Sequence, residues 1–215
     1  ETQNQTWLEF QRMIASDDFE RDPSALFEWV KFRSHLSRGV TVGTMLQDEA
    51  LHFLRIGTFL ERADNTARLL DVKFQSLAGD DYFGPRGSQR EAVQEVDFYH
   101  WSAVLRSVSG FEVYRKVYRN VIRPDRVAEL LILRPDMPRS RAACMNALML
   151  SLGLVSNAQS DDTVRRAGRL HSDLKYGRID EILATGLHAY LTQFLDRVGD
   201  LGVGISRDFL VPMAA

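Results

Sequence analysis

Cysteine, excess charge of one sign and long apolar runs are all scarce in this sequence, and each shortage excludes a class of protein. The single cysteine, Cys144, excludes a disulfide within the chain and is typical of a reducing cytosol. Apolar runs stay well short of the roughly 20 residues that a membrane-spanning helix needs. The net charge of −2 gives no general attraction to nucleic acid or to anionic membranes. We therefore expect a cytoplasmic protein that associates with neither.

Strand patterns are also missing, whereas helical periodicity runs through the whole chain. No segment alternates β-branched and polar residues between turn signals, as strands do. Apolar residues instead recur at spacings of three and four, which predicts helices. Their connectors are short, and short connectors favour antiparallel neighbours. The sequence thus predicts one all-α domain over residues 1–215, a bundle of roughly six or seven mostly long antiparallel helices.

Capping residues and glycines predict where these helices begin and end. Asp22 is expected to cap one helix, and Gly39 and Gly43 are expected to end it. Thr44 begins a capping box for the next helix, which is expected to run to about residue 78. A loop is predicted at 79–87, directly after this helix. The other predicted helices are one before Asp22, at about 5–16, and five after the loop, at about 96–120, 125–133, 139–154, 163–176 and 178–207.

The middle of the predicted helix 44–78 carries charges that the helix itself does not neutralise. Side chains on a helix meet when they are three or four residues apart, so Asp64 and Arg68 are expected to pair. Glu61 and Arg62 have no opposite charge at either spacing. They must therefore meet water, another helix or a ligand, and they are the first candidates for a functional site.

A helical wheel places further polar side chains near this pair. Arginine binds carboxylate or phosphate in a bidentate manner, and a carboxylate can act as a general base or hold an amine. A structural network with charges on other helices would explain the same residues. Glu49 falls on the apolar seam, in the first turn of the predicted helix. It is either an acid that the helix dipole stabilises at the helix start or a functional acid that faces inward. The predicted substrate- or partner-binding set is Asp48, Glu49, Arg55, Glu61, Arg62, Asn65, Thr66 and Arg68, and Glu61 and Arg62 are the candidates for catalysis.

Metal, thiol and nucleotide chemistry have little support in the sequence. Glu49-x-x-His52 and Asp97-x-x-His100 resemble parts of a di-iron site, but both lie near helix starts, where acids are common. Cys144 has apolar neighbours on a predicted helix, as a buried inert thiol would. No glycine-rich phosphate loop occurs between a strand and a helix. The sequence therefore predicts no metal and no cofactor.

Charge is unevenly distributed along the chain. Residues 1–30 contain seven acids and two bases, and residues 115–141 contain eight bases and three acids. The simplest interpretation is that these regions pack together or face solvent. The alternative is an anion site near residues 115–141, and nucleic-acid binding there is the weakest hypothesis.

Several blocks of this sequence resemble the Alpha-E family, bacterial helical proteins named for a Glu-Arg motif. The blocks are TMLQDE at 44–49, FLR at 53–55, LERADNTARLLD at 60–71, WSAVLRSVS at 101–109, YRKVY at 114–118, DMPRS at 136–140 and DFLVP at 208–212. Full-length relatives carry an earlier helical segment with a similar motif. The resemblance therefore implies that this chain, which opens on Glu1, is the C-terminal part of a longer protein.

The resemblance also implies a setting for the protein. Members of the family are often encoded beside, or fused to, an ATP-grasp-like ligase and a transglutaminase-like protein, which implies a part in peptide modification or amide ligation. The first hypothesis is a non-catalytic helical module that binds a substrate or partner for such a ligase through the Glu61/Arg62 region. The second is an enzyme domain with a small-molecule or peptide site there, so catalysis is left open. A homo-oligomer is compatible with either.

Overall fold

The computed structural model describes residues 2–16, 21–77, 90–119 and 121–210, and for 73–77, 90–97 and 210 it describes the backbone alone. In these ranges the all-α prediction is confirmed, but the number of helices is wrong, because ten α-helices occur there. The predicted loop 79–87 lies outside these ranges. The helices are α1 Thr2–Ile14, α2 Pro23–Thr44, α3 Glu49–Leu77, α4 Arg90–Ser107, α5 Phe111–Tyr118, α6 Pro124–Ile132, α7 Arg141–Val155, α8 Asp161–Tyr176, α9 Ile179–Thr185 and α10 Leu187–Ile205, followed by a π-helix at Ser206–Leu210.

Two predicted helices are each divided at a residue with positive φ. The predicted helix 96–120 becomes α4 and α5, with Ser109 at φ 53° between them. The predicted helix 178–207 becomes α9 and α10, with Gly186 at φ 97°. A positive φ cannot continue a right-handed helix, and glycine adopts it without steric cost. These two divisions account for two of the helices beyond the predicted six or seven.

The predicted start of α2 is confirmed, but its predicted end and the next cap are wrong. Asp22 accepts a hydrogen bond from the backbone N–H two residues later at 3.0 Å. Gly39 and Gly43 do not end α2, because an isolated glycine costs a helix only about 1 kcal/mol. Thr44 is the last residue of α2, and its hydroxyl donates to the carbonyl oxygen four residues earlier at 2.7 Å. It therefore does not cap α3.

The chain divides into two compact units, residues 1–51 and 52–215, and the boundary falls within α3. In the first unit, α1 and α2 pack through a small mixed interface. Phe10 stacks on Trp29 with ring centroids 6.3 Å apart. Arg33 Nε donates to Thr6 Oγ1 at 3.1 Å. These contacts join the two helices through aromatic and polar groups rather than through a continuous apolar core.

In the second unit, α3, α7, α8 and α10 form the framework that positions the candidate sites. Contacts between two helices show whether they run parallel or antiparallel. In each of three helix pairs, a later residue of one helix contacts an earlier residue of the other. Such pairs are Asp71–His188 and Leu60–Gly202 for α3 and α10, Asp173–Arg197 and Thr163–Gly204 for α8 and α10, and Asn146–His171 and Met149–Gly168 for α7 and α8. These three pairs are therefore antiparallel.

The apolar seam of α3 is buried in the core of the second unit. A fully buried large aliphatic side chain stabilises the fold by about 1.5–3 kcal/mol. The buried seam consists of Ile56, Ala63, Ala67 and Leu70, and it packs with apolar residues of α4 to α10.

In the described ranges, no helix has the length and apolar character required to cross a bilayer.

Candidate functional site

The exposed face of α3 consists of Leu54, Thr58, Glu61, Asn65, Arg68 and Val72, and it contains three predicted site residues. These positions are three or four residues apart, and all six side chains are exposed. Leu54 and Val72, at the two ends, are 49% and 63% exposed. The face therefore presents polar and charged groups between two apolar side chains.

The two central candidates, Glu61 and Arg62, lie in different environments. Glu61 is exposed and forms no hydrogen bond or ion pair with any residue that the structure describes. Arg62 is half-buried, and its guanidinium carbon lies 5.4 Å from the centroid of the Phe59 ring. Arg62 thus packs against its own helix, whereas the Glu61 carboxylate faces solvent.

Thr66 and Arg68 have partners within the protein. Thr66 is buried, and its Oγ1 donates to the Arg139 carbonyl oxygen at 3.0 Å, which joins α3 to the segment before α7. Arg68 Nε donates to Asp64 Oδ2 at 2.7 Å, which confirms the predicted pair. The hydrogen bond to the Asp64 carboxylate and the negative charge of that carboxylate both raise the pKa of Arg68. Thr66 is therefore a packing residue, and Arg68 presents a paired charge on the exposed face.

The remaining predicted residues lie at the start of α3 or on its sides. Asp48 and Glu49, in the first unit, are both exposed. Asp48 Oδ1 accepts a hydrogen bond from the Leu51 backbone N–H at 3.3 Å and so caps α3. Glu49 lies in the first turn, where the helix dipole stabilises a carboxylate. In the second unit, Arg55 is half-buried and Asn65 is exposed.

Metal and thiol chemistry gain no geometric support in the described part of the chain. There, no three His, Cys, Asp or Glu side chains come together in a group that could hold a metal. His52 and His100 are both half-buried, and the Asp97 side chain lies outside the described set. Cys144 is buried, and burial raises the pKa of its thiol to about 11. The positive charges of Arg62 and Arg139 act in the opposite direction and lower this pKa, but by less than burial raises it. The reactive thiolate is therefore a minor species at neutral pH.

Several bases of the segment 115–141 are paired within that segment. Arg123 and Arg134 each form two hydrogen bonds to the aspartate two residues later. Arg126 pairs with Glu129 at 3.4 Å. These pairs leave less positive charge uncompensated than a count along the sequence suggests.

The structure adds a residue that sequence reasoning missed, Arg141, the first residue of α7. Its side chain is 0% exposed. It begins the buried stripe of α7 that continues through Met145, Leu148, Leu152 and Val155. The spacing of this stripe is the signal that could have found it, because it places a cation on the side of the helix that faces the core.

Arg141 is a buried cation without a carboxylate partner among the described residues. None of its guanidinium nitrogens has a hydrogen-bond partner there. Its guanidinium carbon lies 4.2 Å from the ring centroid of Phe194 and 5.0 Å from that of Tyr190. Burial lowers the pKa of Arg141 to about 10. A desolvated cation–π contact stabilises a charge by about 2 kcal/mol, whereas burying an ion costs several kcal/mol, so the rings offset part of that cost.

Two clefts meet at Gly177 and Arg178, at the corner between α8 and α9. The first has a volume of about 640 Å³ and extends to residues 133–136. The second has a volume of about 460 Å³, and Tyr190 forms part of its wall. Tyr190 therefore lines the second cleft and also contacts Arg141. The predicted site residues on α3 line neither of these clefts.

Comparison with known proteins places the chain in a family. A model of the Alpha-E family, described as a predicted alpha-helical domain with a conserved ER motif, matches residues 1–210. No curated protein and no solved structure matches the chain. The match covers nearly the whole sequence and spans both Glu61 and Arg62. The chain therefore belongs to the Alpha-E family.

Proposed function

We propose that this chain is a helical module that binds a protein partner through the exposed face of α3. The partner is an ATP-grasp-like ligase, which works with a transglutaminase-like protein in a bacterial system that modifies peptides or forms amide bonds. Glu61 carries the proposal, because it is a carboxylate in the middle of that face with no ion pair to any described residue. A cation of the partner can therefore approach it without displacing an internal contact.

The surroundings of Glu61 favour docking over catalysis. A catalytic carboxylate works best in a concave site, where burial and neighbouring charges adjust its pKa to the reaction. Glu61 lies instead on an open helix surface and lines neither of the two clefts described above. An exposed charge of this kind orients a partner and accelerates its association. Leu54 and Val72 supply apolar contact at the two ends of the same face.

The test is a calorimetric titration of the purified chain with the proposed partner, an ATP-grasp-like ligase. Glu61→Arg reverses the central charge and is expected to weaken binding by about tenfold or more, because like charges across an interface repel. Glu61→Gln removes the charge and is expected to weaken binding less. Circular dichroism checks that each variant retains its helices.

The matched control is Glu112→Arg, which reverses an acid on α5 that is also exposed. It is expected to leave binding unchanged. The proposal is wrong when the unmodified chain fails to bind the ligase. It is also wrong when Glu112→Arg weakens binding as much as Glu61→Arg does.

A further inference from the structure

Arg141 lies where its own helix also opposes a positive charge. It follows the N-cap Ser140, whose Oγ accepts a hydrogen bond from the Ala143 N–H at 3.0 Å. The N-terminus of a helix carries positive partial charge and favours an anion. The guanidinium is 0% exposed and has no hydrogen-bond partner among the described residues. The guanidinium therefore has no anionic partner among the described residues, at a helix end whose dipole also favours an anion.

Tyr190 both contacts this buried cation and lines the second cleft. One side of the Tyr190 ring faces Arg141, with 5.0 Å between the ring centroid and the guanidinium carbon. The same residue forms part of the wall of the cleft, whose volume of about 460 Å³ lies in the range of small-molecule sites. A single side chain is thus common to the cleft and to the cation behind it.

The charges of the second cleft select the class of ligand. Asp173, Glu181 and Arg178 line it, so acids outnumber bases, and the side chains of the two acids stay 54% and 69% exposed although each contacts an arginine. Such acids disfavour a multiply charged anion and attract an ammonium group. Arg141, behind Tyr190, attracts a carboxylate, which a guanidinium binds in a bidentate manner. A ligand with a carboxylate at its inner end and an ammonium group at its outer end satisfies both.

We infer that Arg141 binds the carboxylate of a small zwitterionic ligand, an amino acid or a dipeptide, which enters through the second cleft when the Tyr190 side chain rotates aside. The ammonium group of the ligand then lies near Asp173 and Glu181. This inference goes beyond partner binding by α3, and it uses no residue of the exposed face of α3.

The test uses the full 215-residue chain and small ligands of known charge. Glycine and glycylglycine are titrated separately, and changes in backbone amide chemical shifts are followed by NMR. Saturable changes at the start of α7 and around Tyr190 are expected for at least one of them, and the stronger response identifies the source of the carboxylate. Glycinamide, glycylglycinamide and inorganic phosphate are expected to produce no saturable change at these positions.

Three variants connect the response to the proposed residues. Arg141→Met keeps an unbranched apolar side chain beside the rings but removes the guanidinium and its charge, and it should weaken binding by about tenfold or more. Arg139→Met, two residues earlier and half-buried, is the matched control and should bind as the unmodified chain does. Tyr190→Ala removes the barrier and should strengthen binding. Circular dichroism and melting temperatures show whether each variant folds.

The inference is overturned when neither the unmodified chain nor Tyr190→Ala gives a saturable response. It is equally overturned when the amides or phosphate bind as well as the acids, or when a folded Arg141→Met retains full affinity. Should Arg141→Met fail to fold, the comparison of acids with amides on the unmodified chain decides the question. A negative result here leaves the titration with the ligase unaffected, because the two tests use different residues.

Discussion

At the scale of single residues, Asp208 is a carboxylate that two neighbours hold in its charged form. Its side chain is 4% exposed. Oδ1 accepts a hydrogen bond from Arg207 Nε at 2.7 Å, and Oδ2 accepts one from Thr163 Oγ1 at 2.5 Å. The hydrogen bond from Arg207, followed by that from Thr163, lowers the pKa of Asp208. Because Thr163 belongs to α8, this carboxylate joins the π-helix to the bundle.

Asp208→Asn is expected to lower the free energy of unfolding at neutral pH by about 1–3 kcal/mol, as for the loss of hydrogen bonds to a charged group. The folded chain binds the Asp208 proton less readily than the unfolded chain does. The stabilisation is therefore complete above the unfolded pKa of about 3.9 and is lost as the pH falls through the lower, folded pKa. Urea unfolding of both proteins at decreasing pH should show the difference narrowing.

Asp196→Asn serves as the control for this titration, because Asp196 is exposed on α10. Its effect should stay within about 0.5 kcal/mol at every pH, as for most surface substitutions. A difference for Asp208→Asn that remains constant from neutral pH down through the acid range would contradict the electrostatic explanation.

Spacing along one helix predicts only part of this residue chemistry. It correctly predicts the pair of Asp64 and Arg68, which are one turn apart. It cannot predict the contact of Asp71 with His188, because the two are 117 residues apart and meet only through the packing of α3 against α10. Spacing indicates Glu61 as a candidate because its own helix offers it no partner, and its functional role stays a prediction.

At the scale of helices, α10 approaches α8 closely at Gly204, where it has no side chain. A Cβ added at Gly204 would lie 2.6 Å from Thr163 Oγ1, far inside van der Waals contact. The same oxygen donates the hydrogen bond to Asp208. A Cβ added at Gly199, earlier in α10, would meet no atom within 4 Å. Two glycines of one helix therefore differ in their room for a methyl group.

Gly204→Ala is expected to lower the free energy of unfolding by about 1–3 kcal/mol, because the added methyl group forces Thr163 to move. Gly199→Ala is the matched control and is expected to raise it by about 0.5–1 kcal/mol, since alanine favours the helix and nothing obstructs it. Urea unfolding measures both changes. Stabilisation by Gly204→Ala, or equal effects at the two positions, would be inconsistent with this packing.

Periodicity predicts that helices form here, but it predicts their ends less well. For α8 the predicted range 163–176 is close to the observed Asp161–Tyr176, because its apolar stripe ends where the helix ends. At Ser109 and Gly186 the chain turns through a positive φ, and the periodicity of apolar residues gives no sign of either turn. Gly39 and Gly43 have the same local propensity to break a helix, yet α2 continues through both.

At the scale of the whole molecule, the two units differ in how much apolar surface they bury. In the described part of residues 1–51 the buried large apolar side chains are Leu26 and Leu51, while Trp7, Phe27 and Phe32 are 58%, 60% and 64% exposed. In residues 52–215 a core cluster includes buried side chains from every helix between α3 and α10. The division into units depends on this tertiary burial, and the single domain expected from the sequence stays a prediction.

Apolar burial is the main favourable term in folding, so the two units are expected to differ in local stability. Backbone amides of α1 and α2 should exchange with deuterium roughly a hundredfold faster than those of α7, because they open without disrupting a large core. Mass spectrometry of peptides after timed exchange measures this difference. Leu148→Ala removes a buried side chain of α7 and leaves a cavity, so it should accelerate exchange in α7. Equal protection of α1, α2 and α7 would mean that all three open only in global unfolding. The exposed aromatic side chains of the first unit would then have no consequence for its stability.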